Sequence, residues 1–60
     1  MPLSGKEMLK LYLQHGWIAL RQNGSHVRVR KENKHETIPM HPELKKGMEQ
    51  YLLKRLKESE

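Results

Sequence analysis

The fold of this chain is decided by residues 21–30, RQNGSHVRVR. Asn23-Gly24 is typical of a type I′ turn, in which both central residues have positive φ. After it, valines alternate with polar or basic side chains, the period-two pattern of a strand with one buried face. We therefore expect a β-hairpin whose second strand directs Val27 and Val29 to the core. The side chains that alternate with them should share the opposite face: His26, Arg28 and Arg30.

A further strand is predicted on each side of this one. The stretch WIALRQ, residues 17–22, precedes the turn, and HETIPM, residues 35–40, follows a second turn at residues 32–34. Pro39 has no backbone N–H to donate, so the third strand should lie at a sheet edge or end there.

An amphipathic helix is predicted at each end of the chain. Ser4 and Glu7 have the spacing of a capping box, and Gly16 suits the position just after the helix. The second helix is expected from about residue 46 to residue 57, with a basic last turn that suits the negative end of the helix dipole. Residues 58–60 are expected to form a frayed tail.

The resulting order, α-β-β-β-α, predicts a single α+β domain at residues 3–57. A three-stranded antiparallel sheet buries one face under two helices and leaves the other face exposed to solvent. The alternation in the second strand then places the histidine and two arginines together on the exposed face, next to a tight turn.

Composition excludes several classes of function. The 60 residues include no cysteine, which rules out disulfides, thiol catalysis and cysteine-bound zinc. The lack of cysteine fits a reducing cytoplasm. The sequence has no apolar run long enough to span a bilayer and no signal-peptide pattern, so we expect no membrane partner. Twelve lysines and arginines oppose seven acidic residues, giving a net charge of +5. Such a balance fits a polyanionic partner, most often a nucleic acid, and equally a merely solvated basic surface.

A histidine beside arginines is suited to RNA chemistry. An imidazole accepts or donates a proton near neutral pH, and guanidinium groups hold phosphate oxygens. His26 can thus remove the proton of a ribose 2′-OH, whose oxygen then attacks the adjacent phosphorus, and no metal is required. Taken from the pattern alone, a plain structural or RNA-contacting histidine is the more common alternative. With Trp17 and two tyrosines as the only aromatics, a base-stacking platform is not evident, and recognition of shape and backbone fits better.

Three other histidines are present. His15 falls in the last turn of the first helix, and His35 is expected to be solvated. His41 follows the third strand and approaches His26 if that strand pairs with the second. A metal site made of His26, His35 and His41 lacks the support of cysteine, aspartate or an H-E-x-x-H motif, so we expect neither a metal nor a cofactor.

An ordered set of motifs extends over nearly the whole chain, from Ser4 to about Leu56. G-W-x-x-x-R-Q-x-G-S-H occupies residues 16–26, I-P-x-H residues 38–41 and E-L-K-K-G residues 43–47, before a basic helix. With these motifs the chain resembles the HicA family of toxins.

The resemblance implies a fold like that of double-stranded-RNA-binding domains and the activity of a ribosome-independent mRNA interferase. It implies that His26 is the catalytic residue of a metal-independent endoribonuclease. It also implies a HicB-type antitoxin as partner, operator DNA bound only through that antitoxin, and the cytoplasm of a bacterium or archaeon as location.

The site predicted from residues and resemblance together is centred on His26. Contacts to RNA are expected from six residues: Arg21, Gln22, Ser25, Arg28, Arg30 and Lys31. Gly24 shapes the turn, and His41 is a candidate for the second proton transfer, as is water. Two alternatives stay open: a non-catalytic RNA-binding module, and a partner protein whose basic face docks an acidic chain.

Overall fold

The computed structural model describes residues 2–59. Its elements, in chain order, are α1 (Gly5–Gln14), β1 (Ile18–Asn23), β2 (His26–Lys31), β3 (Lys34–Pro39) and α2 (Lys46–Glu58). The strands form one antiparallel sheet in the order β1-β2-β3, with β2 in the centre. The predicted α-β-β-β-α order is therefore confirmed. Neither helix is long and apolar enough to cross a lipid bilayer, as far as residues 2–59 are concerned.

The start of α1 is fixed by the predicted capping box. The Glu7 N–H donates to the Ser4 hydroxyl at 3.1 Å, and the Ser4 N–H donates to the Glu7 carboxylate at 2.9 Å. These bonds to Ser4 stabilise the carboxylate and lower the pKa of Glu7. The helix ends at Gln14, and Gly16 follows with φ 90°, as expected of a glycine that terminates a helix.

Both helices cover the same face of the sheet. The core contains side chains from every element except β1, and Trp17 lies just before that strand: Met8, Tyr12, Trp17, Val27, Val29, Ile38, Leu44, Leu52 and Leu56. The Tyr12 hydroxyl donates to the Leu52 carbonyl at 2.7 Å and so ties α1 to α2. Trp17 packs edge-to-face on Tyr12 with 4.8 Å between ring centroids. Val27 and Val29 face the helices, as the alternation predicts.

The first hairpin turn differs from the prediction. Asn23 pairs with His26, which leaves Gly24 and Ser25 as the loop. Gly24 has φ 63°, whereas Asn23 does not have a positive φ. A glycine at the first loop position is the requirement of a type II′ turn. The expected type I′ turn centred on Asn23-Gly24 is therefore wrong, because Asn23 remains in the strand and makes the last cross-strand pair.

A bulge interrupts the pairing of β1 with β2. Ala19 pairs with Val29, but the next paired residue of β1 is Arg21, opposite Arg28. Leu20 is the extra residue, and the residues after it are shifted by one position relative to regular alternation. The shift turns Arg21 to the exposed face of the sheet, where regular alternation places Leu20.

The C-terminal residues are more ordered than the sequence suggests. Instead of fraying from residue 58, α2 continues to Glu58, and Ser59 is buried. The Trp17 indole N–H donates to the Ser59 hydroxyl at 3.1 Å, which supplies a buried donor with its acceptor. Amphipathic periodicity does not reveal this contact, since it joins residues far apart in the chain. Glu60 lies outside the described residues.

The first residue of α1 is packed against the end of β3. The Gly5 N–H donates to the His41 carbonyl at 2.9 Å. A Cβ atom at Gly5 would overlap the Pro39 carbonyl oxygen and approach the Met40 Cα to 2.7 Å, and both are backbone atoms that cannot swing away. Glycine is therefore required at this position by close approach of two backbone segments.

We expect Gly5→Ala to lower the free energy of unfolding by about 1–3 kcal/mol, because the added methyl group forces α1 away from the strand. The matched control is Gly47→Ala in α2, where a Cβ meets no atom within 4 Å. That variant should be neutral or stabilising by up to about 1 kcal/mol, since alanine favours the helix. Urea denaturation of both variants measures the difference, and equal stability would show that the Gly5 contact is not tight.

Candidate functional site

The exposed face of the sheet is built around the outward side chains of the central strand, His26, Arg28 and Arg30. Residues directly opposite each other in an antiparallel pair share a face. The register therefore adds these neighbours from the two outer strands: Ile18, Arg21, Asn23, His35, Thr37 and Pro39. This set, with the three β2 residues, is called the open face below. It contains cationic, polar and apolar side chains and no carboxylate.

The single acidic residue of the strands points to the other side. Glu36 pairs with Val29, which is buried under the helices. Its carboxylate accepts hydrogen bonds from the Tyr51 hydroxyl at 2.7 Å and from the Arg55 Nε at 2.8 Å. The bond to Glu36 raises the pKa of Tyr51 and also that of Arg55. The one negative charge of the strands is thus neutralised on the helix side. The charged side chains of the open face are therefore all basic.

Two arginines face each other across the open face. The β1 bulge places Arg21 directly opposite Arg28, and like charges in that position are destabilising. The Arg28 guanidinium donates to the Thr37 hydroxyl at 2.9 Å, on its other side. Within residues 2–59, neither guanidinium group forms an ion pair with a carboxylate. An anion bound between them would relieve their repulsion.

His26 is the first residue of β2 and is exposed. The Met40 N–H donates to the Ser25 carbonyl, which ties the segment after β3 to the turn before His26. This bond brings His41 near, with 6.5 Å between the two imidazole centroids and an angle of 66° between their planes. The expectation that His41 approaches His26 agrees with this geometry.

Two open depressions meet at His26. The first is lined by residues of the open face: Arg21, Asn23, His26, Arg28 and Thr37. The second lies between the sheet and the start of α2 and is lined by His26, Pro39, His41, Leu44, Lys45 and Met48. His26 can therefore contact a ligand in either depression, whereas the arginines and His41 are on different sides of it.

Two residues expected to bind RNA lie elsewhere. Gln22 pairs with the buried Val27, so it is not on the open face, and its side-chain amide donates to the Gly24 carbonyl at 3.0 Å. The Lys31 ammonium group donates to the His15 carbonyl at 2.7 Å and to the Ser59 carbonyl at 2.9 Å. Lys31 thus caps the C-terminal ends of both helices and contributes to the fold.

The remaining histidine of the sheet is distant from this pair. His35 lies opposite Arg30, near the other end of β2, so the structure does not bring His26, His35 and His41 together. In the part of the chain that is described, no group of three or more His, Cys, Asp or Glu side chains is arranged to hold a metal ion.

The sequence patterns did not single out two residues that line the depressions, Thr37 and Lys45. Thr37 lies two positions before Pro39, so alternation along β3 places both residues on the same face of the sheet. This pattern could have predicted the position of Thr37. Lys45 has no such signal, since it lies in the irregular segment before α2 and reaches the second depression only through the course of that segment.

Comparison with known proteins identifies the family. The family model described as the HicA toxin of bacterial toxin-antitoxin matches residues 5–57. The chain belongs to the HicA toxin family. It is also similar to a chain of a solved structure entitled "Toxin-Antitoxin complex from Streptococcus pneumoniae". The two share 40% identity and a TM-score of 0.77, over 93% of this chain and 98% of that one. A search of curated proteins finds no match. The resemblance inferred from the motifs is thus confirmed.

We expect Lys31→Met to lower the free energy of unfolding by about 1–3 kcal/mol, because two carbonyl groups lose a charged hydrogen-bond donor. The control is Lys54→Met, which replaces an exposed lysine of α2 and should change stability by less than about 0.5 kcal/mol. Thermal or urea unfolding of the two variants checks this. If both variants match the wild type, the Lys31 ammonium group does not cap the helices in solution.

Proposed function

We propose that this HicA-family toxin is a metal-independent endoribonuclease that cleaves mRNA, with His26 transferring a proton at the scissile phosphate. The observation that carries the proposal is the arrangement of the open face. Arg21 and Arg28 oppose each other without a carboxylate between them, directly beside an exposed imidazole. A phosphodiester fits both requirements, because it supplies the missing negative charge and a reaction that an imidazole can catalyse.

In the proposed reaction, His26 takes the proton of a ribose 2′-OH while that oxygen attacks the adjacent phosphorus. The guanidinium groups of Arg21 and Arg28 hold phosphate oxygens of the RNA backbone next to the reacting bond. Only RNA carries the 2′-OH, so the chemistry itself distinguishes RNA from DNA.

Binding is proposed to use the RNA backbone more than its bases. Arg21, Arg28 and Arg30 are exposed on the open face, and the Ser25 hydroxyl lies in the adjoining turn. Phenylalanine, tyrosine and tryptophan are missing from the strand positions of this face, so base stacking is not the main contribution. Contacts to phosphate and sugar rather than to bases resemble the shape recognition of double-stranded-RNA-binding domains.

The proposed protein partner is a HicB-type antitoxin, in line with the similar chain whose structure is entitled a toxin-antitoxin complex. An antitoxin that covers the open face would exclude RNA and satisfy the arginines with its own carboxylates. Operator DNA would then be bound through the antitoxin, and the toxin would act in the cytoplasm, where its mRNA substrate is.

A non-catalytic RNA-binding module is the second candidate. The exposed guanidinium groups of the open face favour it, since they can bind phosphates whether or not His26 reacts.

One prediction of the proposed function concerns His26. Purified toxin, free of antitoxin, should cleave a mixed RNA in the presence of EDTA, and His26→Ala should slow cleavage by at least about 100-fold, because a general base contributes about that much or more. His35→Ala is the matched control, since His35 is also exposed on the open face but lies opposite Arg30. Gel analysis of the products measures all three proteins.

Each outcome distinguishes the candidates. RNA binding without cleavage by the folded wild type would favour the non-catalytic module. Cleavage that persists in His26→Ala would remove His26 from the mechanism, and cleavage abolished by EDTA would overturn the metal-independent reaction.

Another prediction of the proposed function concerns the facing arginines, Arg21 and Arg28. Arg21→Ala combined with Arg28→Ala should weaken RNA binding and reduce the slope of log K against log salt by about 1.4, since each lost phosphate contact removes about 0.7 for single strands. The double variant should be no less stable than the wild type, because it removes a repulsive pair. Lys57→Ala, on the helix side, is the control and should keep the slope. An unchanged slope in the double variant would place the phosphate contacts elsewhere.

A further inference from the structure

The second depression contains a pair of histidines that the fold does not use. His26 and His41 are both exposed, with 6.5 Å between their ring centroids. Among residues 2–59, neither imidazole forms a hydrogen bond with another side chain or with the backbone. Both line the same depression, and Lys45 adds an ammonium group to it.

The backbone holds this pair in place. The His41 carbonyl accepts from the Gly5 N–H at 2.9 Å, and the Met40 N–H donates to the Ser25 carbonyl. His26 is the first residue of β2, directly after the hairpin turn. The two hydrogen bonds therefore hold His41 beside His26. Two imidazoles positioned by rigid elements and left without partners are suited to catalysis.

We propose that His41 is the general acid of the reaction and that the scissile phosphate lies against both imidazoles, in the second depression. This inference rests on the proposed ribonuclease function. The arginines of the open face then hold the neighbouring part of the RNA backbone, on the other side of His26. Lys45 neutralises charge at the scissile phosphate itself.

The geometry of phosphoryl transfer requires a second group. The attacking and leaving oxygens lie roughly in line on opposite sides of the phosphorus. A proton-transfer group must come within about 2.6–3.2 Å of the atom it serves, so one imidazole cannot reach both oxygens at once. With 6.5 Å between the ring centroids and the rings arranged edge to face, both imidazoles can contact one phosphate that lies across them in the second depression.

The proposed step balances as follows. The 2′-oxygen loses its proton to a neutral nitrogen of His26 and forms a bond to phosphorus. The bond from phosphorus to the 5′-oxygen breaks, and that oxygen takes a proton from the His41 imidazolium. The products are an RNA end with a 2′,3′-cyclic phosphate and an RNA beginning with a 5′-hydroxyl. His26 is left protonated and His41 neutral, and exchange with water restores both.

The assignment of base and acid follows from the positions of the two imidazoles. His26 lines both depressions, next to the arginines proposed to hold the RNA backbone, whereas of these two depressions His41 lines only the second. His26 is therefore assigned to the 2′-OH of the held strand and His41 to the leaving oxygen.

The test uses a leaving group that does not need an acid. An RNA that the wild type cuts is synthesised twice, once unmodified and once with sulfur in place of the 5′-bridging oxygen at the cleaved bond. A thiol has a pKa far below that of an alcohol, so a thiolate leaves without being protonated. His41→Ala should cleave the unmodified RNA at least about 100-fold more slowly than the wild type does, yet cleave the sulfur-containing RNA at nearly the wild-type rate.

His26→Ala should be slow on both substrates, because the base is still needed, and Lys57→Ala, on the helix side, should match the wild type on both. His41→Asn, which keeps a polar side chain, is measured beside His41→Ala, and circular dichroism confirms that each variant is folded. The proposal is supported if His41→Asn also cleaves at nearly the wild-type rate only when the RNA contains sulfur at the cleaved bond.

Other outcomes overturn it. If His41→Ala cleaves both substrates equally slowly, His41 has a role in binding or structure and is not the acid. If His41→Ala cleaves both substrates as fast as the wild type does, His41 has no role in the reaction. Restoration of His26→Ala by sulfur would reverse the two assignments. If the wild type cleaves neither RNA, the proposed function itself fails, which is distinct from failure of the His41 assignment alone.

Discussion

Two backbone hydrogen bonds at one corner of the molecule determine where its reactive groups lie. The Gly5 N–H donates to the His41 carbonyl, and the Met40 N–H donates to the Ser25 carbonyl. Together they join the start of α1, the end of β3 and the turn before β2. Because Gly5 has no side chain, the helix approaches the strand closely enough for the first bond to form. His26 and His41 are therefore adjacent as a result of the fold, and their spacing does not depend on any contact between the imidazoles.

The separation of charge across the sheet has a different origin. The strands contain one carboxylate, and the period of two directs it to the helix side, where Tyr51 and Arg55 bind it. The same period directs Arg28 and Arg30 to the open face. A chain of this length has few residues to spare for its core, and one helix-side lysine, Lys31, serves the fold by capping two helices. Positive charge is thus divided between stabilising the helices and forming a surface for an anion.

Much of this arrangement is predictable from local patterns. The capping box at Ser4, the terminating Gly16 and the buried valines of β2 follow from rules that act within a few residues, and the structure confirms them. The features that the sequence did not reveal depend on pairing between distant segments. The bulge at Leu20 and the type II′ turn are set by the register of β1 against β2. The contact of Trp17 with Ser59 joins residues that are 42 positions apart in the sequence. The roles of His26 and His41 in catalysis are not structural features, and they remain proposals that rest on proximity and chemistry.

The bulge shows why a locally unfavourable feature is consistent with function. Regular pairing would place Leu20 opposite Arg28, and no like charges would meet on the open face. The bulge instead brings Arg21 to that position, where it repels Arg28 at a cost of up to about 1 kcal/mol. A phosphate bound between two guanidinium groups makes charge-assisted hydrogen bonds to both, so this cost is reversed when the ligand is present. The repulsion thus lowers the stability of the free protein, and this difference would add to the affinity for an anion, such as a phosphate of the proposed RNA substrate or a carboxylate of the proposed antitoxin.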